Sequence, residues 1–266
     1  MNPRNEPAAQ NREVFDLATN RKRLDLLIAE RRMAPSRQRA RAMIMAGKIL
    51  VNNQPVDKAG FLVSATDSIV LKEKDIPYVS RGGIKLEGAL QALDLIVEGC
   101  ICLDVGASTG GFTDCLLQHG ASRVYAVDVG YGQLAWKLRQ DPRVVVIERT
   151  NIRHMSAEVI AEPVDLVTID VSFISLKIVV PAVTALIGRD ARILALIKPQ
   201  FEVGKNQVGK GGVVRDATLH KGVIETLSAF FQAEGLVLGR VLPSPILGPK
   251  GNREYFILLG QQPDLT

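Results

Sequence analysis

Asp104-Val105-Gly106-Ala107-Ser108-Thr109-Gly110-Gly111-Phe112 follows the apolar run Cys100–Leu103 and precedes the helical stretch Thr113–His119. A strand, a glycine-rich turn and a helix, in that order, make the repeating unit of a parallel α/β sheet. The glycines let the backbone approach a ligand closely and adopt dihedrals that side chains resist. Their spacing is G-x-x-x-G-G, which departs from the G-x-G-x-x-G of dinucleotide folds. Asp128, just past the next apolar run, is placed to accept hydrogen bonds from a ribose. That pair of features suits a nicotinamide enzyme as well, but the form of the turn favours S-adenosylmethionine.

The pattern repeats on both sides of this turn. Further apolar runs lie at Val124–Val127, Val144–Ile147, Leu166–Ile169, Ile193–Ile197, Leu236–Leu242 and Tyr255–Leu259, and Thr218–Glu234 is helical. The alternation predicts a mainly parallel sheet with helices on both faces. No helical stretch separates the last two runs, so an antiparallel edge is expected there. Charged residues stand at the ends of four runs: Asp104, Asp128, Asp170 and Lys198. In an open parallel sheet the ligand crevice lies at those carboxyl ends, so the four are expected on one rim. Isolated acidic residues there often serve as caps; the coincidence of four points to a site.

Composition narrows the class. With 47% hydrophobic and 23% charged residues, the chain is neither disordered, nor fibrous, nor a disulfide scaffold. Its three cysteines (Cys100, Cys102, Cys115) fit free thiols in a reducing compartment. No metal spacing appears, since Cys100 and Cys102 are one residue apart and His119, His154 and His220 stand alone. Residues 1–20 form a polar extension without the apolar core of an export signal. The longest apolar stretch, residues 178–188, is too short to span a bilayer and contains Pro181. A cytoplasmic protein with no membrane partner is expected. Gly204–Gly211 nearly spells a phosphate-binding G-x-x-x-x-G-K-[ST], but Gly211 stands where the hydroxyl belongs. It reads as a mobile Gly/Lys loop, a lid or an RNA contact.

The net charge of +5 sits at one end. Residues 1–80 hold 14 Lys/Arg against 9 Asp/Glu, which accounts for all of it. Within residues 21–48 there are 9 basic residues and 2 acidic ones. A solvated basic face and a footprint for a polyanion both fit such clustering. Leu24, Leu27 and Ile28 recur at helical spacing, Pro35 breaks the chain, and Ser36 can cap a second helix bearing Ala40, Met43 and Ile44. Gly47 ends that helix. Short strands follow at Ile49–Val51, Gln54–Val56 and Asp67–Leu71, with Asn52-Asn53 as a turn. The expected organisation is an extension (1–20), a basic α+β module (21–75), a linker (76–83) and a large α/β domain (84–266).

The module resembles the S-four-type RNA-binding domain through Arg23-Leu24-Asp25, Ser36-Arg37, Ala40, Ile44, Gly47-Lys48, Val51-Asn52 and Val56. The resemblance implies that Arg23, Arg31, Arg37, Arg39, Arg41 and Lys48 face structured RNA, with contacts to phosphates that position rather than specify. The large domain resembles the FtsJ-type (RrmJ-like) ribose 2′-O-methyltransferases. Together the two resemble the TlyA family, hemolysin-named rRNA 2′-O-methyltransferases. The strings that carry this likeness are Tyr78–Gly83, Asp104–Phe112, Thr168–Ser175, Ile197–Glu202 and Asn252-Arg253-Glu254. The implied fold is α/β: a Rossmann-like S-adenosylmethionine-dependent methyltransferase with a small N-terminal α+β RNA-binding domain.

The resemblance also implies a Lys-Asp-Lys-Glu tetrad, here Lys85, Asp170, Lys198 and Glu254. A ribose hydroxyl is a poor nucleophile at neutral pH, whereas a sulfonium methyl is already a good electrophile, so no metal is required. The enzyme must align oxygen, methyl and sulfur and ease loss of the hydroxyl proton. Lys198 is assigned as base, with Lys85 orienting the ribose and opposing protonation of Lys198. Asp170 anchors Lys198 near the donor, and Glu254 holds Lys85 and a substrate hydroxyl. By the same resemblance the cofactor S-adenosyl-L-methionine meets Asp104, Gly106, Ala107, Ser108, Thr109, Gly110, Gly111, Phe112, Asp128 and Asp170. Asn151 is expected beside the adenine, with a helix cap as its alternative. The implied reaction is 2′-O-methylation of a cytidine in ribosomal RNA or ribosomal subunits. The competing readings are a non-catalytic ribosome-binding factor and, from the family's name alone, a membrane-lytic protein.

Overall fold

A computed structural model describes residues 21–261 apart from 53, 65 and 72–75. The expected extension at 1–20 and Asn53 of the expected turn lie outside the described residues. The chain divides into two compact units, Met1–Asp75 and Ile76–Thr266.

The first unit runs β1 (Arg21–Arg23), α1 (Leu24–Glu30), α2 (Arg37–Met45), β2 (Ile49–Val51), β3 (Gln54–Val56), β4 (Leu62–Ser64) and β5 (Ile69–Leu71). Ser36 caps α2 by accepting from the Arg39 amide at 3.2 Å, and Gly47 past its end takes the left-handed φ of +67°. Leu24, Ile28, Ala40, Met43, Ile44, Ile49 and Val63 form the core between the helices and the strands. β2 pairs with β3 and β5, and β1 pairs with β4, all antiparallel. The sequence reading omits β1 and β4, because three residues without alternation carry no strand signal.

The second unit runs α3 (Gly82–Ala92), β6 (Ile101–Val105), α4 (Gly111–Gln118), β7 (Arg123–Val127), α5 (Trp136–Arg139), β8 (Val144–Ile147) and β9 (Leu166–Ile169). It continues with α6 (Leu176–Thr184), β10 (Arg192–Ile197), α7 (Pro199–Glu202), α8 (Ala217–Ala233), β11 (Val237–Pro243) and β12 (Tyr255–Gly260). The seven strands lie in the order β11-β12-β10-β9-β6-β7-β8. β10, β9, β6, β7 and β8 are mutually parallel, and β12 inserts antiparallel between β10 and β11. The segment expected as a linker belongs to this unit: Tyr78 is buried in the same core as Leu86, and Gly82 opens α3.

Strand alternation sends neighbouring residues to opposite faces. Cys102, Val124, Ala126, Leu194 and Leu196 join α3 and α4 in one core. Leu103, Val105, Tyr125, Val127, Ile193 and Ala195 join α6 and α8 in the other. No helix among the described residues is long and apolar enough to cross a membrane. Phe231 of α8 is wholly buried in the second core. Phe231→Ala should weaken the second unit by about 3–5 kcal/mol, the usual cost of emptying an aromatic site. Urea unfolding followed by far-UV circular dichroism measures it; a loss under 1 kcal/mol would show that α8 is not anchored there.

Candidate active site

Because β9 and β10 are parallel, their carboxyl ends share one rim, and Asp170 and Lys198 follow them directly. β12 runs the other way, so its beginning lies at that same rim and carries Glu254 there. Lys85 comes from the first turn and a half of α3. The four side chains form two ion pairs: Lys85 Nζ to Glu254 Oε2 and Lys198 Nζ to Asp170 Oδ1, each 2.6 Å. Lys198 Nζ also donates to Ser172 Oγ at 3.0 Å. Lys85, Lys198 and Glu254 are buried, a placement that charged side chains adopt only when paired. Glu254 Oε1 is shielded and has no hydrogen-bond partner. It packs against Gly248, where a Cβ would collide with it.

Three cavities surround this set. One of about 480 Å³ is lined by Gly106, Ser108, Asp128, Asn151, Ile152 and Asp170, among others. A second, of about 420 Å³, is lined by Ser80, Arg81, Lys85, Gly106–Thr109, Gly111, Phe112, Asp170, Ser172 and Lys198. The two share Gly106, Ser108, Asp170 and Ser172, so they read as one trough bent over the glycine turn. The third, about 630 Å³, lies against Ser172, Phe173, Lys198, Gln200, Phe201 and Glu254.

The trough fits a ligand with a nucleoside end and an amino-acid end. Asp128 receives the Ser108 amide at 2.7 Å and the Gly130 amide at 2.6 Å, which fixes its carboxylate at the wall of the first cavity. Gly106 has φ +86°, and a Cβ there would lie 2.6 Å from the Asp170 carbonyl, so only glycine lets these two turns touch. Arg81 lines the opposite end, a partner for a carboxylate.

The remaining expected residues divide. Gly106, Ala107, Ser108, Thr109, Gly111, Phe112, Asp128, Asn151 and Asp170 all line the trough. Gly110, at φ +92°, is the N-cap of α4 and lines neither part of it. Asn151 caps the turn Ile152–His154 by accepting from the Arg153 amide at 3.1 Å, and it also lines the cavity. Asp104 departs from the expected rim. β6 runs two residues further than the apolar run, so Asp104 lies within the strand and is fully buried. It accepts from Thr113 Oγ1 at 2.6 Å and Thr168 Oγ1 at 3.0 Å.

In the first unit, Arg31, Arg37, Arg39 and Arg41 are exposed on or beside α1 and α2, and Lys48 is half-buried. Arg23 and Arg37 both pair with the buried Asp25 at 3.0 Å, so they also hold the module together. Sequence reasoning passed over Ser172, Glu202 and Asp114. Asp114 accepts from the Val79 amide at 2.7 Å and so fixes the approach to α3. Ser172 and Glu202 lie inside quoted strings, and only their three-dimensional partners separate them from their neighbours.

Comparison with known proteins agrees with this architecture. Residues 78–261 match the FtsJ-like methyltransferase family, and residues 22–69 match the S4 domain. The chain is 50% identical over 245 residues to the 16S/23S rRNA (cytidine-2′-O)-methyltransferase TlyA of Mycobacterium tuberculosis, covering 92% of this chain and 91% of that protein. It is 42% identical over 235 residues to Hemolysin A of Brachyspira hyodysenteriae, covering 88% and 97%. A solved hemolysin-named structure from Streptococcus thermophilus superposes with a TM-score of 0.71 at 41% identity, covering 92% of this chain and 90% of that one.

Asp104 carries a measurable signature. Burial pushes its carboxyl up to about 6, against the pull of the two threonine hydroxyls. The folded value exceeds the unfolded one, so the group stabilises the fold most when protonated. That contribution is lost as pH rises from about 4 to about 6. A shift of this size corresponds to about 3 kcal/mol. Asp104→Asn keeps the shape and removes the titration. Relative to wild type, it should gain up to about 3 kcal/mol of unfolding free energy between pH 4 and pH 7. Denaturant midpoints across that range test it, and parallel curves would refute the assignment.

Proposed function

The chain belongs to the FtsJ-like methyltransferase family, in the TlyA branch that adds an S4 domain, and from that premise we propose that it uses S-adenosylmethionine to methylate the ribose 2′-hydroxyl of a cytidine in ribosomal RNA. The observation that carries the reading is the pair of 2.6 Å ion pairs, Lys85–Glu254 and Lys198–Asp170, beside the glycine turn. Such an enzyme works where ribosomes are, in the cytoplasm.

When bound, the cofactor supplies an electrophilic methyl group on a sulfonium that leaves as a neutral thioether. Asp128 accepts from its ribose hydroxyls, Asn151 and Ile152 flank its base, and the Gly106–Phe112 backbone with Arg81 holds its amino-acid end. The target nucleoside occupies the third cavity, whose wall includes Lys198 and Glu254. Lys198 gives up a proton to water before turnover, then takes the 2′-hydroxyl proton while the oxygen gains the methyl group, which restores its ion pair with Asp170. Asp170 anchors Lys198. Lys85 orients the ribose, and its positive charge opposes early protonation of Lys198. Glu254 holds Lys85 and, at the wall of the third cavity, takes a substrate hydroxyl. Proton transfer of this kind contributes roughly 10²–10⁴-fold, and alignment supplies much of the rest. The basic face of the S4 domain docks on RNA phosphates and brings the large unit to its target.

Lys198→Ala should reduce transfer of labelled methyl to ribosomal subunits by about 10²-fold or more. RNA affinity, measured by filter binding, should stay within about twofold, because Lys198 is not a phosphate contact. Undiminished transfer would contradict the assignment. Arg41→Ala, on the exposed face of α2, should instead weaken RNA binding and lower its salt slope by about one. An unchanged slope would remove Arg41 from the interface.

A further inference from the structure

Besides the Asp170–Lys198 pair, four contacts tie the segment after β9 to the turn after β10. Lys198 Nζ donates to Ser172 Oγ at 3.0 Å. The Phe173 and Phe201 rings stand 4.8 Å apart. Glu202, the last residue of α7, accepts from the Ser175 hydroxyl at 2.6 Å and from the Leu176 amide at 2.8 Å. Between these anchors Phe173 has φ +63°, a left-handed conformation that a bulky residue resists. Strain of this kind costs about 1–3 kcal/mol and persists only when the surroundings hold it. On one flank the holder is Glu202. Its carboxylate sits at the start of α6, where free amides and the helix dipole favour negative charge.

The turn matters because of what a free amine has to offer: two N–H bonds and one lone pair. Ser172 Oγ accepts from Lys198 Nζ at 3.0 Å, and Asp170 Oδ1 stands 2.6 Å from it as ion-pair partner, placed to become the second acceptor. Once they take both N–H bonds, the lone pair is left for an incoming hydroxyl. Glu202 lines none of the three cavities around the tetrad; the cavity it does line, about 260 Å³ beside Lys177 and Thr218, contains no tetrad residue, so it reaches Lys198 only through others. We infer that Glu202 is a positioning residue for methyl transfer: it locks the strained turn 171–175 so that Ser172 and Asp170 together aim Lys198. The inference rests on the reading of Lys198 as the proton acceptor.

The test uses the full-length protein and compares wild type, Glu202→Gln, Ser172→Ala and the double variant. Single-turnover methylation of ribosomal subunits should fall roughly tenfold or more in each single variant, since a misplacement of about 1 Å can cost 10²-fold. Dissociation constants for cofactor and RNA should stay within about twofold. The double variant should be no slower than the slower single one, because both changes disarm the same lysine. Losses that multiply, or Glu202→Gln turning over at the wild-type rate, would overturn the proposal. A second readout is independent of turnover: trace acetylation by acetic anhydride, quantified by mass spectrometry. Labelling of Lys198 relative to the exposed Lys221 should rise several-fold in Glu202→Gln, and an unchanged ratio would overturn the proposal as well. If wild type itself transfers no methyl group, the functional reading fails while the labelling still judges Glu202. Should Glu202→Gln not fold, Ser175→Ala removes one of the two contacts and should show the same pattern, smaller in size.

Discussion

Two lysines are taken out of water at the carboxyl edge of the sheet, and each must meet a carboxylate there. Lys85 and Lys198 reach theirs at 2.6 Å. An unpaired buried charge is costly, so each lysine is held where its carboxylate stands. The constraint ties together stretches far apart in the chain: α3, the ends of β9 and β10, and the beginning of β12. The topology answers it, since only an antiparallel β12 beside β10 brings its first residue to the rim where the parallel strands end.

The glycine turn and the tetrad are one construction. Gly106 lets its turn lie against the Asp170 carbonyl, so the wall of the trough and the ion-pair partner of Lys198 touch. Asp104 ties β6 to α4 and β9 through Thr113 and Thr168. Asp128 frames it from the side through the Ser108 amide. On the proposed reading, a donor seated over Gly106 meets a hydroxyl held at Lys198 without any large movement of the chain.

Much of this was legible in the residues. The alternation of apolar runs with helical stretches gave the parallel sheet, and the missing helix before Tyr255 gave its antiparallel strand. Ser36 and Gly47 marked both ends of α2 through local chemistry alone. The tetrad was a different matter. Lys85 and Glu254 carry no periodic signal, and they entered through resemblance to a family. In the sequence a polar residue after an apolar run reads as the end of a strand, whereas two threonine hydroxyls from other segments let Asp104 continue inside. β1 and β4 escaped notice because their pairing is long-range and their length minimal. Ser172 and Glu202 were hidden for the same reason: their partners lie some 26 and 27 residues away in sequence.

The central claim is that this rim assembles a site for moving one methyl group onto a ribose oxygen. Incubating purified protein with ribosomal subunits and S-adenosylmethionine, then resolving the nucleosides by mass spectrometry, tests it most directly. The account predicts new 2′-O-methylcytidine in the ribosomal RNA. Methyl groups found only on bases, or none above a cofactor-free control, would contradict it.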